Sequence, residues 1–138
     1  MTVARDLMTP DPKCVKEDQT LTDAARMMRD LDVGALPICG NDDRLKGMLT
    51  DRDIVVKCIA EGGDPTTATA GSLAEGKPVT IGADDDIREA LETMQKHQVR
   101  RLPVIDGHDL VGIISQADIA RELSAAQTGE TVAEISEE

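Results

Sequence analysis

Phenylalanine, tyrosine and tryptophan are all absent from this 138-residue chain. Their absence removes the stacking platforms on which single-strand nucleic acid binders rely and the aromatic anchors of most tight interfaces. A flat base bound here would have to lie between aliphatic side chains, and the core is built from Ile, Leu, Val, Met and Ala. Basic residues are also scarce: 15 Lys and Arg stand against 27 Asp and Glu, a net charge of −12. Such a chain repels phosphate backbones and anionic lipid at long range, so nucleic acid and membrane are poor partners. Small anions are not excluded, because charge beyond a Debye length of about 8 Å is screened and one arginine decides the local field. No apolar run approaches the ~20 residues that span a bilayer, and MTVARDLMTP lacks the apolar stretch of a secretory signal; the expected location is the cytoplasm. No P-loop, nucleophile elbow or zinc-binding cysteine spacing occurs, so the sequence points to no enzyme, no required cofactor and no metal.

What the sequence does have is a repeat. LTDAARMMRDLDVGALPI aligns with IREALETMQKHQVRRLPV without a gap, Leu21 opposite Ile87 and Pro37 opposite Pro103, an offset of 66 residues. The match extends back to Ala4 and Ala70, Leu7 and Leu73, and Val15 and Ile81. Beyond the proline it slips by one residue, so that Gly47 faces Gly112 and Asp53 faces Asp118. A hairpin turn is where such a deletion is best tolerated.

Each copy reads as strand, helix, strand, strand, helix. Leu21, Ala24, Ala25, Met28 and Leu31 recur at helical spacing, as do Ile87, Ala90, Leu91 and Met94. Thr20 with Asp23 and Asp86 with Glu89 have the spacing of capping boxes. The runs LPIC and LPVI, each followed by a polar turn and then LKGMLT or LVGIIS, predict β-hairpins. Second helices are expected from about Thr50 to Ala60, stopped by Gly62 and Gly63, and from Ser115 to Leu123. A short strand near Cys14-Val15 or Val79-Thr80 completes each unit and should run parallel to the strand after the helix. A unit of about 60 residues leaves one sheet face needing cover, which the other copy can supply. The expected fold is therefore α/β (α+β), with tandem pseudo-twofold repeats whose sheets pack face to face. The boundaries are 1–61 for the first copy, 62–69 for a polar linker, 70–123 for the second copy and 124–138 for an acidic, loosely held tail.

The residues Asp6-Leu7-Met8, the Leu-Pro-Ile and Leu-Pro-Val runs at 36–38 and 102–104, and the doubled motif of Gly, apolar pair, Thr or Ser, two residues and Asp together resemble the cystathionine-β-synthase (CBS) domain pair. The resemblance runs from Thr2 to about Leu123. It implies a non-catalytic regulatory module that commonly forms homodimers and binds an adenosyl ligand (AMP, ADP, ATP or S-adenosylmethionine) between its repeats. Asp53 and Asp118 would then take the ribose hydroxyls, with Thr50 and Ser115 near phosphate. A carboxylate accepts two adjacent hydroxyl protons, and a helix N-terminus offers N–H groups to phosphate. The same [ST]-x-x-D pattern is also an ordinary capping box, and the repeat alone does not separate the two readings.

The copies differ where charge matters. Gly34-Ala35 in the first becomes Arg100-Arg101 in the second, and Asp51-Arg52 becomes Gln116-Ala117. Arg52, Arg100 and Arg101 are the natural phosphate partners, unless surface carboxylates claim them. Asp51 beside Arg52 opposes phosphate, so at most one good nucleotide site is expected per chain. Cys14 and Cys39 fall on strands expected to be parallel neighbours, near enough for a possible disulfide, although a cytoplasmic compartment favours free thiols. A ligand-free structural or redox-responsive protein using these two cysteines is the competing reading. Cys58 is expected in the core, His97 partly buried on a helix face, and His108 in solvent.

Overall fold

The computed structural model describes residues 1–74, 76 and 78–125; the tail beyond them, including most of the expected acidic segment, lies outside the described residues. Two sheets carry the architecture. In the first, β2 (Val15–Lys16) runs parallel to β3 (Ala35–Cys39), which pairs antiparallel with β4 (Leu45–Thr50). In the second, β5 (Ile81–Gly82) runs parallel to β6 (Arg101–Asp106), which pairs antiparallel with β7 (Asp109–Ser115), and β1 (Thr9–Pro10) adds to the far edge of β7. Both hairpins bulge at the same place, between Ile38 and Cys39 and between Val104 and Ile105, and the one-residue slip falls in the turns that follow.

The helices are α1 (Ala4–Leu7), α2 (Leu21–Leu31), α3 (an α-turn at Asp51–Asp53 continuing as a π-helix over Ile54–Ile59), α4 (Ile87–His97) and α5, helical over 116–125. A 3₁₀ turn spans Ala70–Leu73. α2 opens on a reciprocal box, Thr20 Oγ accepting from Asp23 N–H at 3.1 Å and Asp23 accepting from Thr20 N–H at 3.2 Å. α4 departs from expectation: the Asp86 carboxylate accepts from Arg88 N–H at 2.9 Å, one residue earlier than a box requires, which makes its start a plain N-cap. Both helices close at a left-handed residue, Asp32 (φ 55°) and Gln98 (φ 56°), and the next N–H returns to Met28 or Met94. The expected α-helix after Thr50 widens after one turn. Ala60 N–H bonds the Val55 carbonyl five residues back at 2.8 Å, in a stretch whose β-branched Ile54, Val55 and Val56 crowd an ordinary turn.

Period-two alternation sorts the strand side chains into two layers. Leu36 and Ile38 of β3 join Leu21, Ala24 and Met28 of α2 and Leu49 of β4 in one core, while Leu102 and Val104 of β6 join Ile87, Ala90, Met94, Ile114 and Ile119 in the other. The residues between them, Pro37 and Pro103, are buried on the opposite faces, where the two sheets meet. Strands buried on both faces read as continuous apolar runs, which is why LPIC and LPVI do not alternate. Cys58 is buried in the first core, as expected. His97 is exposed, contrary to expectation: it ends α4 at the position where α2 has Leu31, itself 44% exposed, so neither copy buries that site. His108 lies exposed in the β6–β7 turn.

The sequence reading did not foresee an exchange between the copies. Ala4 is fully buried in the second core, not the first, and Ala70 is fully buried in the first. Ala4 N–H donates to the Asp85 carbonyl and Arg5 N–H to that of Ala83, both at 2.9 Å; Ala70 N–H donates to Gln19 and Gly71 N–H to Glu17. Each half is thus completed by the opening segment of the other. Cys14 and Cys39 stand on neighbouring parallel chains, joined as a disulfide with Cα atoms 5.7 Å apart.

Candidate functional site

Where β4 runs into α3, Thr50 Oγ accepts from Asp53 N–H and Asp53 Oδ2 accepts from Thr50 N–H, both at 3.0 Å. Ser115 and Asp118 repeat the arrangement at the start of α5, at 3.1 and 3.2 Å. Both motifs are therefore capping boxes, and each box uses only one carboxylate oxygen. The other, Oδ1, faces outward: that of Asp53 meets Lys57 Nζ at 3.5 Å, and that of Asp118 meets Arg121. Capping leaves half of each carboxylate for a second partner, so the two readings of the motif are compatible.

The boxes open onto two clefts, both formed where the repeats meet. The larger, about 810 Å³, is lined by Thr50, Asp51, Arg52, Asp53 and Lys57 of the first copy and by Pro78, Val79 and Gln98 to Arg101 from the second. Its volume lies within the roughly 300–1,000 Å³ of small-molecule sites. Ala35, Met48, Leu73, Pro78, Val79 and Val99 supply aliphatic walls, the only kind this composition permits. The smaller, about 400 Å³, holds Ser115 and Asp118 with Lys13, Leu31, Val33 and Arg101.

Arg52, Arg100 and Arg101, named from differences between the copies, all reach the larger cleft. Among the described residues none of the three has a carboxylate within ion-pair distance. Asp51 is turned aside: its Oδ1 accepts from Arg52 N–H at 2.8 Å, and its Oδ2 lies over Gly34, where an added Cβ would approach it to 3.3 Å. Lys57 escaped the sequence reading, although it lies one helical turn beyond Asp53. Pro78, Val79, Gln98 and Lys13 gave no signal, because only the meeting of the two copies brings them to a cleft. Among the described residues no three His, Cys, Asp or Glu gather where they could hold a metal ion. No described helix is long and apolar enough to cross a membrane.

Comparison with known proteins accords with this architecture. The CBS domain model matches residues 4–59 and again 70–125. Hypoxic response protein 1 of Mycobacterium tuberculosis is 59% identical over 123 residues, covering 89% of this chain and 86% of that one. A crystal structure of Hypoxic Response Protein I, described as holding two coordinated zinc ions, superposes with a TM-score of 0.82 at 59% identity, over 87% of this chain and 98% of the other. The CBS domain pair of protein MJ0100, crystallised with 5-methylthioadenosine and S-adenosylmethionine, shares the fold at a TM-score of 0.80 and 23% identity, over 91% and 98% of the two chains. With both repeats matched and nearly the whole described chain covered, this protein belongs to the CBS domain family, as a tandem pair of CBS domains.

Proposed function

We propose that this CBS pair is a non-catalytic regulatory module that binds an adenosyl nucleotide in the larger cleft between its repeats. The observation that carries this reading is the concentration of cationic side chains there: Arg52, Lys57, Arg100 and Arg101 line one cleft of a chain whose net charge is −12. In this reading Asp53 takes the ribose hydroxyls, Thr50 at the helix start lies near phosphate, and the Pro78-Val79 wall takes the base, all three being lining residues of the same cleft. MJ0100 carries adenosyl ligands on the same fold, but the argument for this chain rests on its own cleft. Working as a homodimer fits α3, which leaves Val55 and Ile59 55% and 54% exposed on one helix.

Calorimetry with AMP, ADP, ATP and S-adenosylmethionine tests the reading. Asp53→Ala should weaken the bound ligand about ten- to a hundredfold, the equivalent of ~1.5–3 kcal/mol. Unchanged affinity would remove Asp53 from the site. Without aromatic residues intrinsic fluorescence is unsuited, so calorimetry or dye-based melting is required.

The disulfide favours a second reading, in which the clefts are empty and the protein responds to redox state through Cys14 and Cys39. Failure of every adenosyl ligand to raise the melting temperature, together with a change in oligomeric state on reduction, would select it.

A further inference from the structure

The two clefts are unequal, and one residue belongs to both. Around the larger, Arg52, Arg100 and Arg101 stand beside Asp51 and the Asp53–Lys57 pair, three guanidinium groups to one carboxylate outside that pair among the described residues. Around the smaller, Lys13 and Arg101 face Asp11, while Asp118 is paired with Arg121. Arg101 is counted twice because it opens β6 at the seam. Its backbone pairs with Ser115, the cap residue of the smaller cleft, and the exposed residue also lines the larger. The equivalent position in the first copy is Ala35, so no second guanidinium stands opposite to serve the other side.

Building on the adenosyl reading above, we infer that the larger cleft selects ligands carrying two or more phosphates, and that recruitment of Arg101 by that ligand restricts each chain to one. A guanidinium donates a planar fork to phosphate oxygens and cannot bridge both clefts with that fork at once. Once Arg101 turns to the larger cleft, the smaller keeps Lys13 against Asp11, with Asp118 held by Arg121, and no guanidinium remains in its lining to hold a second polyphosphate. A cationic sulfonium gains nothing from three guanidinium groups, so S-adenosylmethionine is disfavoured where ATP is favoured. The field acts at contact range, where the acidic remainder of the chain is screened.

Calorimetric titration of the intact protein with ATP, AMP and S-adenosylmethionine, at roughly 0.05 and 0.5 M salt, decides this. ATP is expected to bind once per chain, at least about tenfold tighter than AMP, and to weaken more steeply with salt. Arg101→Ala and Arg100→Ala should each reduce ATP affinity by about tenfold or more, while Lys13→Ala leaves it unchanged. These side chains are exposed, so the fold is not at stake, and coincident melting curves verify that. Two ATP per chain, or AMP or S-adenosylmethionine binding as tightly as ATP, would overturn the inference and leave the adenosyl reading standing. If none of the three binds, the adenosyl reading itself fails.

Discussion

Met8 rests directly on Gly112. A Cβ built at Gly112 would collide with Met8 Sδ and approach the Thr9 carbonyl oxygen to 2.9 Å. The equivalent pair in the other half is Ala74 on Gly47, where the closest approach is 3.3 Å. The glycine that opens each copy of the doubled motif is thus explained by the exchange: the segment following each opening turn crosses to the other half and lies on it.

Gly112→Ala should therefore destabilise the protein by about 1–3 kcal/mol, the usual cost of overpacking, since the Thr9 backbone cannot swing aside as a side chain can. Gly47→Ala should cost less, because only the Ala74 methyl has to give way by a few tenths of an ångström. Urea unfolding of both variants tests the order; a larger loss at Gly47 would contradict it.

The second prediction concerns the caps. Thr50→Ala and Ser115→Ala each remove a hydroxyl that accepts a helix N–H at 3.0 or 3.1 Å, so each should cost about 1 kcal/mol of stability even with no ligand present. Chemical denaturation in nucleotide-free buffer is the measurement. No loss in either variant would mean that the hydroxyls are kept for a ligand rather than for the helix.

The duplication, both parallel strand pairs, both hairpins and the capping boxes at Thr20, Thr50 and Ser115 could be read from the sequence because they follow from local spacing. The position of the one-residue slip likewise identified the hairpin turn. What spacing cannot say is which copy a segment packs against: Ala4 and Ala70 occupy matching positions whether or not they exchange partners. The larger cleft was legible only in part for the same reason. Asp53 and Arg52 belong to one copy, Arg100 and Arg101 to the other, and their convergence is a property of the packed pair. Solvent exposure of His97 was missed because helical periodicity does not register that the apolar stripe ends one turn before the helix does.

The Cys14–Cys39 bridge closes a loop of sequence separation 25, for which chain entropy gives about 3.5 kcal/mol. The second copy has Thr80 and Ile105 at the matching positions, so the fold should survive reduction with a lowered melting temperature. Thiol titration in denaturant should find one group, Cys58, without reductant and three after it. Three groups without reductant would show that the bond does not form.

Acid should loosen the linker. Thr66 donates its hydroxyl to Asp64 at 2.6 Å and its N–H at 2.9 Å, and these bonds, the hydroxyl first, hold the Asp64 carboxyl below the ordinary carboxylate range. A carboxyl lowered in the folded state stabilises the protein above the unfolded value, about 3.9, and that contribution is lost as pH falls through the lower folded value. The stability gap between the parent protein and Asp64→Ala should stay constant from neutral pH to roughly pH 5 and then narrow. A gap that widens in acid would reverse the assigned sign.

The strongest consequence of the exchange lies at the N-terminus. Ala4 is fully buried in the second core, Leu7 and Met8 pack against it, Ile87 N–H bonds the Thr2 carbonyl at 3.2 Å, and Thr9 pairs with Ile113. Removing residues 2–10 should therefore cost several kcal/mol, since burial of a single Leu or Met side chain is worth about 1.5–3 kcal/mol. The damage should fall on the half more than 70 residues away in sequence. Hydrogen exchange of the truncated protein is expected to show β6 and β7 losing protection before β3 and β4, although the latter belong to the copy that was cut. Earlier loss in β3 and β4 would mean that the opening segment supports its own repeat, and that the two halves do not complete one another.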